Sequence, residues 1–293
     1  MNQFSQSKNL FQKKLNFACS NPIKGILIIF MHLCFIFSPI LLFHYISLKN
    51  TLLNIIITTF FIFFNGTRMR ALGNIIHECC HYTFVPGKKL NTFLGKTLCT
   101  LELNCFHTYQ KEHFSHHRYL GNILYDEDFK IRHKLGICDK NPFKISRFLK
   151  IIFSPKNWYF LFISSIKLKI KSLKSLIFYT IYLSAFICLC YLFGFQLIFL
   201  FIIIPFLTTY QMMKLMSDFL DHGGLYFRKD DEFKTRNHYF SIPLLNWIFF
   251  PRSDCFHLVH HLYPRLPSNF LYKKHEHLLE ENDNYKKRRH CIF

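Results

Sequence analysis

Histidines recur at helical spacing in three places along the chain. One pair is four residues apart, and two triplets follow in the pattern H-x-x-H-H. The three groups are His77 with His81, His113 with His116 and His117, and His257 with His260 and His261. Residues i, i+3 and i+4 share one face of a helix, so we expect each group to direct its imidazole rings at one point. The spacing therefore predicts that rings from three segments converge on a shared site.

Chance does not account for this pattern. Histidine makes up 17 of the 293 residues, so a random triplet of this form is expected only about 0.06 times in such a chain. Histidines that merely fill hydrogen-bonding roles explain scattered positions better than clustered ones. We interpret the following histidines in that way: His32, His44, His107, His133, His238, His275, His277 and His290.

Imidazole nitrogens suit iron, copper and zinc alike. A zinc site uses three or four protein ligands, so eight or nine rings indicate two metal ions, and iron is favoured because two irons with open positions can bind and cleave oxygen. We expect no catalytic residue apart from this metal centre. Acidic residues are placed to accept hydrogen bonds from the ring nitrogens that do not bind metal. Asp128 and Asp221 belong to this acidic set, and its specific candidates are Glu78, Asp126, Asp218 and Asp254.

The elements that must position these histidines are long apolar segments. The chain is 51% apolar and 18% charged, and its apolar residues are clustered in blocks rather than spread as in a pair of soluble domains. Such blocks can cross the roughly 30 Å hydrocarbon layer of a membrane. We predict spans at residues 25–48, 51–70, 176–193 and 195–213. The second is expected to continue beyond the lipid and to carry His77 and His81 into water.

These spans predict an all-α integral membrane protein. The spans form two hairpins, with Lys49 and Asn50 in the first turn and Gly194 in the second, and a cytoplasmic helical cap carries the histidines. Around this membrane domain, assigned to residues 25–270, we expect a basic N-terminal tail at 1–24 and a basic C-terminal tail at 271–293.

The formal net charge of +20 is explained by topology. Lysine and arginine are concentrated in the N-terminal segment, in residues 66–175 and in the C-terminal segment. Because positively charged segments of membrane proteins stay on the cytoplasmic side, we expect both termini in the cytoplasm. The same charge attracts anionic membrane lipids. No motif of a nucleic-acid-binding fold accompanies it, so we expect no nucleic-acid partner. The 11 cysteines lack regular spacing and do not indicate a disulfide framework.

The histidine motifs resemble the three histidine boxes of the membrane fatty acid desaturase superfamily. They read HECCH at 77–81, HFSHH at 113–117 and HLVHHLYP at 257–264, and the trailing Leu-Tyr-Pro makes the third the most specific. The segment DFLDH at 218–222 resembles the additional element of that family. It implies His222 as a ninth metal ligand and Asp218 as a water-mediated or outer group. The resemblance covers roughly residues 25–270.

The resemblance implies an oxygen-dependent di-iron desaturase that introduces a double bond into an acyl chain. Two non-haem iron ions are the implied cofactor, O2 is the co-substrate, and the substrate is an acyl-lipid, acyl-CoA or acyl-carrier molecule. The chain has no flavin, nucleotide, iron–sulfur or haem motif, so a separate electron donor is implied, either a ferredoxin or a b-type cytochrome. A bacterial inner membrane is favoured over the endoplasmic reticulum.

Alternatives from other classes stay open. The nearest is a hydroxylase or ketolase on the same di-iron scaffold. HECCH is also a literal H-E-x-x-H, the motif of zinc metalloproteases with Glu78 as the base, but an intramembrane protease leaves both triplets unexplained. A membrane protein that binds metal without catalysis is the third alternative. Metal content and product analysis distinguish these four classes.

Overall fold

A computed structural model describes residues 21–46, 50–137, 143–167, 173–226 and 233–291. Most of the predicted N-terminal tail, Lys49 of the first turn and the last two residues of the predicted C-terminal tail lie outside the described residues. In chain order the helices are α1 (Pro22–Tyr45), α2 (Thr51–Cys80), α3 (Lys88–Leu101), α4 (Phe106–Tyr119), α5 (Glu127–Lys134), α6 (Ile145–Ile152), α7 (Pro155–Ser165), α8 (Leu173–Phe193), α9 (Phe195–Ile198), α10 (Ile204–Leu207), α11 (Thr209–His222), α12 (Pro243–Phe249), α13 (His257–Leu262), α14 (Leu271–Glu281) and α15 (Asp283–Lys286).

Four helical segments of the described chain are long and apolar enough to cross a membrane, which confirms the predicted all-α membrane fold. They are Pro22–Tyr45, Thr51–Cys80, Leu176–Phe193 and Phe195–His222. No residue of Leu176–Phe193 is buried against protein, and side chains such as Ile181 and Leu183 are more than half exposed. Apolar surface of this extent is stable in contact with lipid, where no water has to be ordered around it.

Two of these segments extend beyond the predicted spans. α2 continues past residue 70 to Cys80, in line with the predicted extension toward His77 and His81, and the last segment continues to His222 rather than to residue 213. Their ends contain polar residues, but these are buried by neighbouring helices: Asn74 and Glu78 on α2 and Ser217 and Asp221 on α11 are all buried. Protein contacts therefore stabilise the helix where lipid no longer does.

Local sequence signals set the start of the first two spans. The side chain of Asn21 accepts a hydrogen bond from the amide of Ile23 at 2.9 Å, and Pro22 occupies the first turn. Asn50 accepts in the same way from the amide of Leu53 at 3.0 Å. Asparagine satisfies amides that have no partner at a helix start, and proline has no amide to satisfy there.

The second and last spans approach each other closely at Gly66. A Cβ atom at this position would lie 2.1 Å from Oγ1 of Thr209, so only glycine permits the contact. One residue earlier, the buried Asn65 side chain donates to the carbonyl of Ile36 at 3.0 Å and to that of Phe201 at 2.7 Å. Phe201 lies in a π-helical turn at Phe199–Ile203. These contacts fix α2 against the segment that leads to α11, and both helices carry histidines at their ends.

The largest apolar core lies around α11 and α13. It contains Phe219 and Leu220 from α11, Leu258 and Val259 from α13, and also residues of the segment that the sequence analysis assigned to a basic tail. Those residues are Leu271, Leu278 and Tyr285. The helices α14 and α15 therefore pack against the helix that carries the third histidine motif and support its position.

Candidate metal centre

Nine histidines form two groups in which the potential ligand atoms lie within 4.8 Å of one another. The five-histidine group consists of His77, His81, His113, His117 and His260. The four-histidine group consists of His116, His222, His257 and His261. The structure thus brings together every histidine that the sequence analysis selected as a ligand, including His222 at the end of α11.

Each triplet is divided between the two groups. In α4, His113 and His117 join the five-histidine group and His116 joins the other; in α13, His257 and His261 join the four-histidine group and His260 joins the other. The expectation that each triplet aims at a single point was therefore wrong. At about 100° per residue, positions i and i+4 lie roughly 40° apart around a helix, whereas i+3 lies roughly 60° to the other side. One helix can thus serve two adjacent points.

Ring nitrogens face ring nitrogens in the five-histidine group. Nε2 of His81 lies 2.7 Å from Nε2 of His113, which lies 3.0 Å from Nε2 of His117. Nε2 of His260 lies 3.0 Å from the Nε2 atoms of both His77 and His117. A metal–nitrogen distance of about 2.1 Å places neighbouring ligands at right angles about 3.0 Å apart. The residues present therefore fit a transition metal ion.

The four-histidine group has the same spacing. Nε2 of His257 lies 3.1 Å from Nε2 of His222 and 3.1 Å from Nε2 of His261. The ring of His116 completes the group, with its centroid 4.9 Å from that of His222. The two groups are in direct contact, since the rings of His117 and His261 stack with centroids 4.4 Å apart. The arrangement accommodates two ions side by side.

Burial keeps these imidazoles neutral. Loss of solvent lowers the pKa of the site histidines that lie outside the spans well below the usual value, and neighbouring rings or Arg132 lower it further. This holds for His81, His113, His116, His257, His260 and His261. For His117, burial and the charge of Arg132 lower the pKa to about 4. Neutral rings have the free lone pair that binding of a metal ion requires.

Asp126 connects the second histidine motif to the following helix. Its Oδ2 lies 3.1 Å from Nδ1 of His116, and it also accepts from the amide of Gly121 at 2.9 Å. Its Oδ1 accepts from the amide of Phe129 at 2.9 Å and so caps the start of α5. A carboxylate on Nδ1 holds the proton there and leaves Nε2 as the ligand atom.

Two other members of the four-histidine group have partners on Nδ1. The Nδ1 of His222 lies 3.0 Å from the carbonyl oxygen of Lys234. The Nδ1 of His257 lies 3.5 Å from Oδ2 of Asp221, and Oδ1 of this carboxylate lies 2.7 Å from Nε2 of His238. Asp221 was only a member of the wider acidic set, and no sequence motif singled out Lys234 or His238.

The other acidic candidates contact arginines instead of the site histidines. Glu78 accepts two hydrogen bonds from Arg252, at 2.7 and 2.8 Å. Asp218 accepts from Arg132 at 3.1 Å. Asp254 pairs with Arg70 at 2.7 Å and accepts from the hydroxyl of Ser217 at 2.8 Å. The arginines come from segments distant in sequence, so spacing could not reveal these pairs.

Asn237 positions the third histidine motif, and sequence reasoning assigned it no role. Its Oδ1 accepts from the amides of Leu258 and Val259 at 3.1 and 3.3 Å. Both amides belong to the first turn of α13 and have no partner within that helix. The side-chain amide of Asn237 in turn donates to the hydroxyl of Tyr285 at 2.7 Å. The histidine helix is thus fixed to the C-terminal helices.

The spans and the histidine groups together define a class, that of multi-span α-helical membrane proteins with histidines gathered where the spans end. A family model described as fatty acid desaturase matches residues 53–293. The chain belongs to this family, which confirms the resemblance found in the histidine motifs.

A curated relative is similar over much of the chain. It is dihydrorhizobitoxine desaturase from Bradyrhizobium elkanii, which is 27% identical over 231 residues. The match covers 71% of this chain and 64% of the relative. The chain therefore spans slightly less than two thirds of the length of the relative that it matches.

Proposed function

We propose that the protein is an oxygen-dependent di-iron desaturase of a membrane. It introduces a double bond into a saturated carbon chain, and the expected substrate is the acyl chain of a lipid or of an acyl thioester. The observation that carries this proposal is the division of nine buried histidines into two adjacent groups with metal-ligand spacing. Family membership and the name of the relative agree with it.

Each of the two histidine groups would hold one iron ion. When bound, the two irons supply the oxidising power that removes hydrogen from an unactivated methylene with O2. The chain itself fixes the geometry: Asp126, Asp221 and the carbonyl of Lys234 lie at Nδ1 atoms of the four-histidine group. These partners orient the rings of His116, His257 and His222, and they hold the proton on Nδ1, away from the nitrogen that would face the ion.

Electrons come from a separate protein in this proposal. A ferredoxin or a b-type cytochrome is the class of donor that the missing cofactor motifs indicate. The positively charged segments would then lie on the cytoplasmic side together with both termini. The membrane is a bacterial inner membrane rather than the endoplasmic reticulum.

Two observations count against the protease alternative. Glu78, the base of an H-E-x-x-H protease, accepts hydrogen bonds from two of the three nitrogens of the Arg252 side chain. A single zinc ion would also use only part of the nine histidines, because a zinc site takes three or four protein ligands. A hydroxylase or ketolase would use the same metal centre, so only the product distinguishes it from a desaturase.

The experiment combines metal analysis with product analysis. The full chain is expressed in a bacterial host and purified in detergent, and its iron and zinc are measured per chain. Lipids and polar metabolites of the same cells are compared by mass spectrometry with those of cells expressing H260A. Two irons per chain and a product lighter by two hydrogens support the proposal. One zinc per chain, or a product that gains oxygen, contradicts it.

A further inference from the structure

A cavity of about 150 Å³ borders the histidine site on the side of the spans. The rings of His77, His113 and His257 form part of its wall. Apolar side chains such as Ile76 and Leu161 contribute to the wall, but they are outnumbered by charged side chains of both signs. A polar wall disfavours an apolar chain, because charged groups lose their hydration without gaining partners.

Most of the charged groups in the wall are already paired with each other. Arg70 pairs with Asp254 at 2.7 Å, and Arg132 pairs with Asp218 at 3.1 Å. Lys167 and Glu112 also form an ion pair. These pairs are part of the protein fold and do not need a ligand.

Glu102 and Lys214 differ from these pairs. Oε1 of Glu102 is buried and has no hydrogen-bond partner among the described residues. The ammonium of Lys214 lies 5.3 Å from the ring centroid of Tyr210, and within the described chain it forms no ion pair and no hydrogen bond. Both groups line the same cavity, but within the described chain no hydrogen bond or ion pair joins them.

Opposite charges that are enclosed but not paired are costly to keep. An unpaired ionised group inside a protein is unstable, and in membrane proteins such groups mark binding sites or transport paths. Burial raises the pKa of the Glu102 carboxyl, and the Lys214 ammonium together with the hydroxyl of Tyr210 opposes that shift. A ligand with both an anionic and a cationic group would satisfy Glu102 and Lys214 at once.

The position and the size of the cavity restrict this ligand. Lys214 and His222 are eight residues apart on α11, which corresponds to about 12 Å along the helix. A cavity of this volume is the size that holds a benzene molecule in an engineered protein. The ligand part that fits is therefore small, and the cavity that holds it is itself lined by His77, His113 and His257.

We propose that Glu102 and Lys214 bind a zwitterionic group of the substrate, with its ammonium against Glu102 and its anionic group against Lys214. This inference rests on the proposed desaturase function and places the oxidised carbon–carbon bond near a charged group. Two sources share the chemistry: a free small molecule resembling an amino acid with a short alkyl side chain, and the headgroup of a zwitterionic phospholipid.

Thermal unfolding of the full chain in detergent tests the inference with defined probes. Norleucine carries both charges on a short alkyl chain, whereas hexanoate and hexylamine carry one charge each. We expect norleucine to raise Tm at concentrations at which neither singly charged probe does. Dihexanoyl phosphatidylethanolamine and dihexanoyl phosphatidylglycerol form a second pair of probes: stabilisation by the former alone identifies a lipid headgroup as the source.

Matched variants locate the binding site. E102Q and K214M keep the shape of each side chain and remove its charge, and each should weaken binding of the zwitterionic probe about tenfold or more. The control variants E276Q and K273M change exposed residues of α14 and should bind as the unmodified protein does. Without ligand, E102Q and K214M should have an unchanged or higher Tm, because each removes an unpaired charge.

The outcomes separate this inference from the proposed function. The inference is overturned if hexanoate binds as strongly as norleucine. It is also overturned if E102Q and K214M both bind norleucine as strongly as the unmodified protein does. A lower ligand-free Tm for E102Q and K214M also overturns it, because that result indicates a structural ion pair. Iron content is measured in the same samples: a protein without iron contradicts the desaturase function, whatever the probes show.

Discussion

The protein buries histidines in two regions that differ in what their ring nitrogens face. In the candidate metal centre, Nε2 of His81 lies 2.7 Å from Nε2 of His113. In the C-terminal region, Nδ1 of His275 lies 2.7 Å from the hydroxyl of Tyr285, and Nε2 of His290 lies 2.7 Å from the carbonyl of Tyr285. The second region forms an ordinary hydrogen-bond network, whereas the first brings ring nitrogens together at a spacing that could hold a metal ion.

Burial and pKa do not distinguish these regions. Burial lowers the pKa of His275 to about 4, with a contribution from His290, and it lowers the pKa of His117 to the same value. A buried neutral histidine is therefore not by itself a sign of a metal site. The partner of each ring nitrogen is the property that separates a ligand from a structural residue.

The largest expected effect comes from removing one ligand of each group. We expect H260A and H261A each to reduce the iron content from about two to about one per chain and to reduce desaturation to background, because both groups are needed. Elemental analysis and product analysis measure the two effects. The control H133A changes an exposed histidine and should retain both irons. Full iron content in both ligand variants would remove the distinction between the two regions.

A smaller effect is expected at the carboxylate that orients His116. D126N weakens the acceptor on Nδ1, and such changes reduce metal affinity about ten- to a hundredfold. Asparagine is itself a good N-cap residue, so the start of α5 is preserved. Titration with a chelator should therefore remove one iron earlier than the other, and D283N, at the exposed start of α15, should not show this difference. Equal loss of both irons would contradict the conclusion that Asp126 supports only the four-histidine group.

The C-terminal region should respond to acid through His275. An unfolded histidine has a pKa of about 6.5, whereas that of folded His275 is about 4. Below pH 6.5 the unfolded chain therefore takes up the proton first, and the free energy of unfolding decreases until the pH reaches about 4. Thermal unfolding from pH 7 to pH 4 should show a shallower loss of Tm for H275Q than for the unmodified protein.

The exposed His277 on the same helix provides the control for this measurement. H277Q should keep the full dependence of Tm on pH. A dependence that is the same in H275Q and in the unmodified protein would show that the ring of His275 does not hold its neutral form in the fold. Iron content at pH 7 should be unchanged in both variants, because neither residue belongs to the metal centre.

Helical periodicity made eight of the nine histidines predictable, since histidines within one segment depend only on local spacing, whereas His222 was predicted only from the resemblance of its segment to the additional element of the family. The apolar blocks made the four spanning helices predictable for the same reason. The assignment of His116 and His260 to different groups from their neighbours depends on how α4 and α13 face each other. The role of Asn237 depends on the contact between a loop and the first turn of α13. Such contacts join distant residues and leave no pattern in the sequence.

The smallest expected effect on the metal centre is that of E78Q. Glu78 lies between ligands His77 and His81 in sequence, but its carboxylate points to Arg252, which is 174 residues away. We therefore expect E78Q to lower Tm, since Arg252 loses its charged partner, while both irons and most of the desaturase activity are retained. Metal analysis and product analysis of E78Q beside H260A measure this contrast. Loss of metal in E78Q equal to that in H260A would place Glu78 in the metal centre, and loss of desaturase activity with both irons retained would contradict a purely structural role of the Glu78–Arg252 pair.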